Sequence, residues 1–151
     1  MIDADNLKKV NDTYGHKAGD KLILTLASTI RECLRTSDII CRYGGDEFVA
    51  LLPQLPVNKA METAERLRSA IENTSFDVDG QRITTTVSIG VATYPDEVRV
   101  ADELMERADE SLYESKNAGR NKVISYSRIK TEDPEEGIIE QQEFGLRGTD
   151  S

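Results

Sequence analysis

Asp38-Ile39-Ile40-Cys41-Arg42-Tyr43-Gly44-Gly45-Asp46-Glu47-Phe48-Val49-Ala50-Leu51-Leu52 is the stretch on which the fold turns. From Asp38 to Tyr43 it is rich in residues that suit a pleated surface, and Phe48 to Leu52 repeats that bias. Gly44-Gly45 between them supplies a tight turn, so the stretch predicts an antiparallel hairpin.

Working outward, Leu22, Ile23, Leu26, Ala27, Ile30, Cys33 and Leu34 recur at the three-and-four spacing of one helix face, with Asp20 as the expected N-cap. Ala60, Met61, Ala64, Leu67, Ala70 and Ile71 mark a second helix, with Pro56 ahead of it and Asn58 as the expected cap. Asp79-Gly80 predicts a two-residue turn between Phe76–Val78 and a long strand from Ile83 to Thr93. Ile83, Thr85, Val87, Ile89 and Val91 share one side of that strand. A third helix runs over Ala101, Leu104, Met105, Ala108 and Leu112 and ends near Asn117, with Gly119 as a left-handed C-terminal residue. A last strand covers Val123 to Tyr126. This order predicts an α+β domain over residues 1–126, with helices packed on a largely antiparallel sheet.

The chain has 151 residues, room for one domain of common size, and no apolar run approaching the roughly 18 residues a membrane helix needs. No signal peptide is visible either, so a cytoplasmic location is expected. Cys33 and Cys41 lack the pairing of a zinc or redox motif and read as buried thiols. A net charge of −9 argues against a nucleic-acid polymer as partner, because such binding draws on neutralised phosphates. An anionic small molecule therefore needs a local basic site or a metal. Residues 127–151 carry seven acidic side chains against three basic ones and read as a flexible acidic tail.

Three clusters carry chemistry. At the hairpin turn the glycines leave the backbone bare and Asp46 and Glu47 follow at once. Mg²⁺ takes one or two protein carboxylates plus phosphate oxygens and waters, so this tip can hold a cation and admit a nucleotide, although a solvated turn fits equally. Asp3-Ala4-Asp5 can add carboxylate or backbone oxygens to the same ion. Lys116 and Arg120, four apart at a helix end, suit either a polyphosphate or the negative end of the helix dipole.

Taken in order, Asp3-Ala4-Asp5-Asn6-Leu7-Lys8, Asn11 to His16, Gly19-Asp20, Arg42 to Phe48, Ser88 to Ala92, Ala108-Asp109 and Lys116 to Asn121 resemble the motifs of the GGDEF-domain diguanylate cyclase family. The resemblance implies a ferredoxin-like, nucleotidyl-cyclase palm-like sheet and a reaction that joins two GTP into cyclic di-GMP. It implies two Mg²⁺ (or Mn²⁺) ions per active site, held by Asp3, Asp46 and the backbone oxygen of Ala4, with Glu47 binding metal or activating the attacking hydroxyl. Asn11 and Asp20 match guanine-contacting positions, Gly44 and Gly45 the bare backbone beside the nucleotide, and Lys116 and Arg120 the triphosphate ligands. Arg35-Thr36-Ser37-Asp38 resembles the family's RxxD inhibitory product site, to which Arg66, or alternatively Arg68, contributes. A homodimer with one GTP per subunit and an upstream sensory domain are implied as well. His16, Tyr14, Tyr43 and Phe48 are read as loop or packing residues. The family has a helix and an apolar strand leading into the position of Asp3, where this chain has only Met1 and Ile2, so most of the first strand is expected to be lacking. The competing reading is a non-catalytic module that binds GTP or cyclic di-GMP.

Overall fold

The computed structural model describes residues 1–132. Strands β1 (Ile2–Ala4), β2 (Ile39–Arg42), β3 (Glu47–Leu51), β6 (Val87–Val91) and β7 (Val123–Ser125) form a five-stranded sheet in the order β2-β3-β1-β6-β7. All neighbours are antiparallel except β6 and β7. β4 (Ser75–Val78) and β5 (Gln81–Thr84) make a separate hairpin. The helices are α1 (Leu7–Tyr14), α2 (His16–Cys33), α3 (Val57–Glu72), α4 (Leu104–Asn117) and α5 (Tyr126–Glu132).

Strand alternation sorts the sheet into two faces. Ile2, Ala4, Phe48 and Ile89 join Leu22, Leu26, Ile30, Leu67 and Ile71 of α2 and α3 in one core. Met1 and Val49, one residue out of phase, meet Ala108 and Leu112 of α4 on the other face. Each fully buried Leu or Ile side chain contributes roughly 1.5–3 kcal/mol relative to exposure, so α2, with Leu22, Leu26 and Ile30 at 1% exposure or less, anchors the larger core. Gly90 lets α4 lie directly on β6: a Cβ there would come within 2.2 Å of the Ala108 carbonyl oxygen and the Leu112 nitrogen. Short as it is, β1 sits at the centre of the sheet, pairing Ile2 with both Phe48 and Ile89. Beyond its start, Met1 and Gly90 exchange two hydrogen bonds of 2.9 Å, and an apolar cleft of about 430 Å³ opens between the ends of β3 and β6.

Several local expectations need correction. Gly15, at φ 84°, breaks the chain and α2 starts directly after it, so Asp20 lies inside the helix rather than at its cap and His16 is the first helical residue, not a loop imidazole. The helix α1, whose apolar contacts come from Leu7 and Val10 only, was not anticipated. α3 begins at Val57, so Asn58 is inside it, and the Val57 amide finds a remote acceptor in Asp96 at 3.3 Å. The long strand over Ile83–Thr93 is cut at Thr85-Thr86 into β5 and β6, which belong to different sheets. Cys41 is exposed, because β2 is an edge strand, while Cys33 is half-buried. Tyr43 and Tyr14 are exposed and only Phe48 packs as expected. The β4–β5 turn does form at Asp79-Gly80, both at positive φ. α5 starts at Tyr126, and residues 133–151 of the expected tail lie outside the described residues.

Candidate active site

The alternation that divides the sheet also builds the site. Asp3 shares the α4 face with Met1 and stands directly opposite Glu47 across the β1–β3 pair. α4 ends above that face, and its Lys116 Nζ reaches Asp3 Oδ2 at 3.0 Å. The Ala4 amide donates to the Asp46 carbonyl at 3.0 Å, which ties the hairpin tip to β1. A pocket of about 470 Å³ results, with Asp3, Ala4, Asp46, Lys116 and Arg120 in its wall and the first turn of α1 closing one side. The structure therefore brings together the amino end of the chain, the hairpin and the end of α4, which are far apart in sequence.

Asp3 is buried, with its side chain 9% exposed. Burial pushes its carboxyl from 3.8 up to about 6; the Lys116 hydrogen bond opposes the rise, and the charges of Asp46 and Glu47 add to it. A carboxylate desolvated beside two others is relieved by a cation, and oxygen donors of this kind suit Mg²⁺. Among the described residues no three His, Cys, Asp or Glu side chains converge on one point as a metal cage. Asp5 also lines the pocket, but its oxygens are engaged by the protein: Ser88 donates to its Oδ1, and Thr86 and the Asn121 amide donate to its Oδ2.

The hairpin glycines serve two purposes. Neither has positive φ. At Gly44 a Cβ would stand 2.8 Å from Glu47 Oε2, so the bare Cα makes room for the protein's own carboxylate. At Gly45 a Cβ would meet nothing within 4 Å, which leaves that backbone open to an incoming molecule. Arg42, which sequence reasoning passed over, donates to the Gly44 and Gly45 carbonyls at 3.1 and 2.6 Å and shapes the turn. Its place two residues before the glycine pair was the available signal. Lys8, Lys9 and Asp12 also line the pocket; they were missed because α1 was.

Asn11 packs on the bare Cα of Gly19, next to Asp20, so the two positions matched to base contacts are neighbours across the α1–α2 junction. Among the described residues, Asn11 Oδ1 is the buried side-chain atom left without a hydrogen-bond partner. Asp20 is exposed.

Arg35 and Asp38 close on each other through Nη2–Oδ1 at 2.7 Å and Nε–Oδ1 at 3.1 Å. The Arg35 guanidinium, its side chain 48% exposed, holds the buried Asp38 carboxyl below the usual range. Arg66 donates to the Cys33 carbonyl at 2.9 Å, which sets it beside the same turn, whereas Arg68 turns away to Glu65, Glu72 and Asn121.

A palm-like α+β sheet with acidic oxygens at its central strand and hairpin tip, and Lys116 and Arg120 at the end of the helix above, is the nucleotidyl-cyclase fold. Residues 1–122 match the family model described as diguanylate cyclase, GGDEF domain. The chain belongs to that family. It is 46% identical over 123 residues to diguanylate cyclase A of Treponema denticola, covering 82% of this chain and 33% of that protein. To diguanylate cyclase DgcM of Escherichia coli K12 it is 42% identical over 125 residues, covering 83% and 30%. The chain thus spans about a third of the length of these relatives. Among solved structures, the GGDEF domain of DgcB from Caulobacter crescentus in complex with c-di-GMP superposes with a TM-score of 0.76 at 34% identity, covering 83% of this chain and 75% of that one. No helix of the described residues is long and apolar enough to cross a membrane.

Proposed function

We propose that this domain condenses two GTP molecules into cyclic di-GMP with release of two pyrophosphates. The observation that carries the reading is the Asp3–Asp46–Lys116–Arg120 pocket, in which one buried and one half-buried carboxylate and two cations face one space of nucleotide size. Asp3, Asp46, Glu47 and the Ala4 carbonyl would hold Mg²⁺ or Mn²⁺, two ions per site, supplying a Lewis acid that lowers the cost of an alkoxide and balances charge on pyrophosphate.

Lys116 and Arg120 hold the triphosphate, a compact ammonium and a planar fork on one anion. The Lys116–Asp3 ion pair keeps the lysine at the pocket wall until phosphate competes for it. Asp20, exposed at the α1–α2 junction, and Asn11 beside it accept from the N–H groups of guanine, which a base lacking the N1-H and exocyclic amine cannot satisfy. The open backbone at Gly45 admits the nucleotide beside the hairpin. The 3′-hydroxyl oxygen of one GTP attacks the α-phosphorus of the other; the bond to the bridging oxygen breaks, pyrophosphate leaves and the hydroxyl proton is lost. Two such steps close the ring. With one GTP per subunit, two protomers face each other as a homodimer, and proximity supplies much of the rate. Arg35, Asp38 and Arg66 bind the product and inhibit.

The test is incubation of the purified protein with GTP and Mg²⁺, with products separated by chromatography. Cyclic di-GMP and pyrophosphate in a one-to-two ratio are expected. A folded dimer that binds GTP and yields no product would instead be a non-catalytic binding module.

A further inference from the structure

Arg120 and Asn121 both lie in the left-handed region, at φ 62° and 48°. Asparagine tolerates that conformation, but arginine adopts it only when its surroundings impose it. The turn that carries them follows α4 and is stitched on both sides. Ser115 accepts from the Arg120 amide at 3.1 Å and donates its hydroxyl to the Lys122 carbonyl at 2.8 Å. The Asn121 side chain is saturated from α3: Arg68 Nη1 donates to its Oδ1 at 2.7 Å, and its Nδ2 donates to Glu72 Oε1 at 2.8 Å. From the opposite side, the Asn121 amide donates to Asp5 Oδ2 at 3.1 Å. Asp5 is itself held by the Thr86 and Ser88 hydroxyls, both at 2.6 Å. Thus α3, β6 and the end of β1 converge on the residue next to Arg120, whose side chain lines the acidic pocket.

We propose that Asp5, Asn121 and Arg68 form a clasp whose task is to hold Arg120 over the pocket, making them positioning residues for the triphosphate. The inference rests on the reading of Arg120 as a phosphate ligand. It follows from what each partner is fitted to do. Asp5 has both oxygens committed to donors on β6 and on the turn, so the second aspartate of Asp3-Ala4-Asp5 works on the protein rather than on an ion. Arg68 spends a nitrogen on Asn121 although Glu65 and Glu72 already neutralise it. With Asn121 fixed by its amide, its carbonyl oxygen and its amino group, the preceding residue is left with one orientation of Cα–Cβ. Arg120 then loses no backbone freedom when phosphate arrives, so only its side-chain torsions remain to be ordered, which is the advantage of a partly preorganised ligand.

The test measures equilibrium binding of the αβ-methylene analogue of GTP and of GMP, each with Mg²⁺, by the full chain. The variants are Arg120→Ala, Asn121→Gly, Asp5→Asn and the double variant Asn121→Gly with Arg120→Ala. Asn121→Gly keeps a residue that favours positive φ while removing the contacts to Arg68 and Glu72. It should weaken the triphosphate analogue about tenfold, the equivalent of one charged hydrogen bond loosened. GMP affinity should stay within about twofold, since that ligand lacks the β- and γ-phosphates of the triphosphate. In the double variant the loss should equal that of Arg120→Ala alone. Equal losses for both ligands, or fully additive losses in the double variant, would overturn the clasp. So would unchanged analogue binding in Asn121→Gly and Asp5→Asn while Arg120→Ala is impaired. If Arg120→Ala itself binds the analogue normally, the phosphate reading falls, and the clasp with it.

Discussion

Replacing Asp3 with asparagine separates the charge of the pocket from its shape. Without divalent ions, burial raises the Asp3 carboxyl from 3.8 to about 6, the Lys116 hydrogen bond opposing and the Asp46 and Glu47 charges adding. The folded chain therefore binds more protons than the unfolded one across that interval, and stability falls as pH climbs through it. A difference of about two pH units corresponds to about 3 kcal/mol at about 1.36 kcal/mol per unit, a ceiling because the pocket is open to water on one side. Asp3→Asn carries no such titration. Relative to wild type it should gain about 2 kcal/mol between about pH 4 and pH 7, or roughly 8 °C in Tm for a chain of this size. Thermal unfolding followed by circular dichroism in chelator, at several pH values, measures this directly. Comparing the two proteins across pH cancels any packing difference between the side chains. A Tm difference that stays constant from acid to neutral pH would refute the burial of Asp3 beside the charges of Asp46 and Glu47. Saturating Mg²⁺ should then stabilise wild type and leave Asp3→Asn nearly unmoved, because ligand binding raises stability only where the ligand binds.

Asp46→Ala should cut cyclic di-GMP formation by about 100-fold or more with the fold intact, since electrostatic contact to charge developing in reaction is worth about 3 kcal/mol; near-normal turnover would remove its metal-binding role. Gly90→Ala places a Cβ 2.2 Å from backbone atoms of α4, so it should cost about 3 kcal/mol or more in urea unfolding, whereas a loss under about 1 kcal/mol would mean that α4 does not lie on β6 as described. Arg35→Ala should raise the concentration of cyclic di-GMP needed for half inhibition by about tenfold, read from initial rates; an unchanged inhibition curve would clear Arg35 of product binding.

The β2–β3 hairpin was legible because its signals are local: β-favouring runs and a glycine turn lie within fifteen consecutive residues. The apolar spacing of α2, α3 and α4 was legible for the same reason, since a helix buries a periodic face wherever its partner lies. Caps were not, because they depend on one residue's conformation and on distant acceptors: Gly15 decides the start of α2, and Asp96 serves α3 from 39 residues away. The break at Thr85-Thr86 escaped the pattern because Ile83, Thr85, Val87 and Ile89 keep their alternation while the chain passes from one sheet to another.

For the site, sequence supplied the residue types and the family likeness that ordered them, and the pocket has Asp3, Ala4, Asp46, Lys116 and Arg120 in its wall. Only the tertiary structure decided what each carboxylate faces. Asp3 and Asp5 are two residues apart and chemically alike, yet Asp3 meets Lys116 whereas Asp5 is consumed by Thr86, Ser88 and Asn121. The side of the sheet is set locally, by strand parity, but the neighbours on that side arrive from residues 81 to 116 positions away. A chain's local preferences carry no record of such distances, and a carboxylate's pKa and role follow from its neighbours.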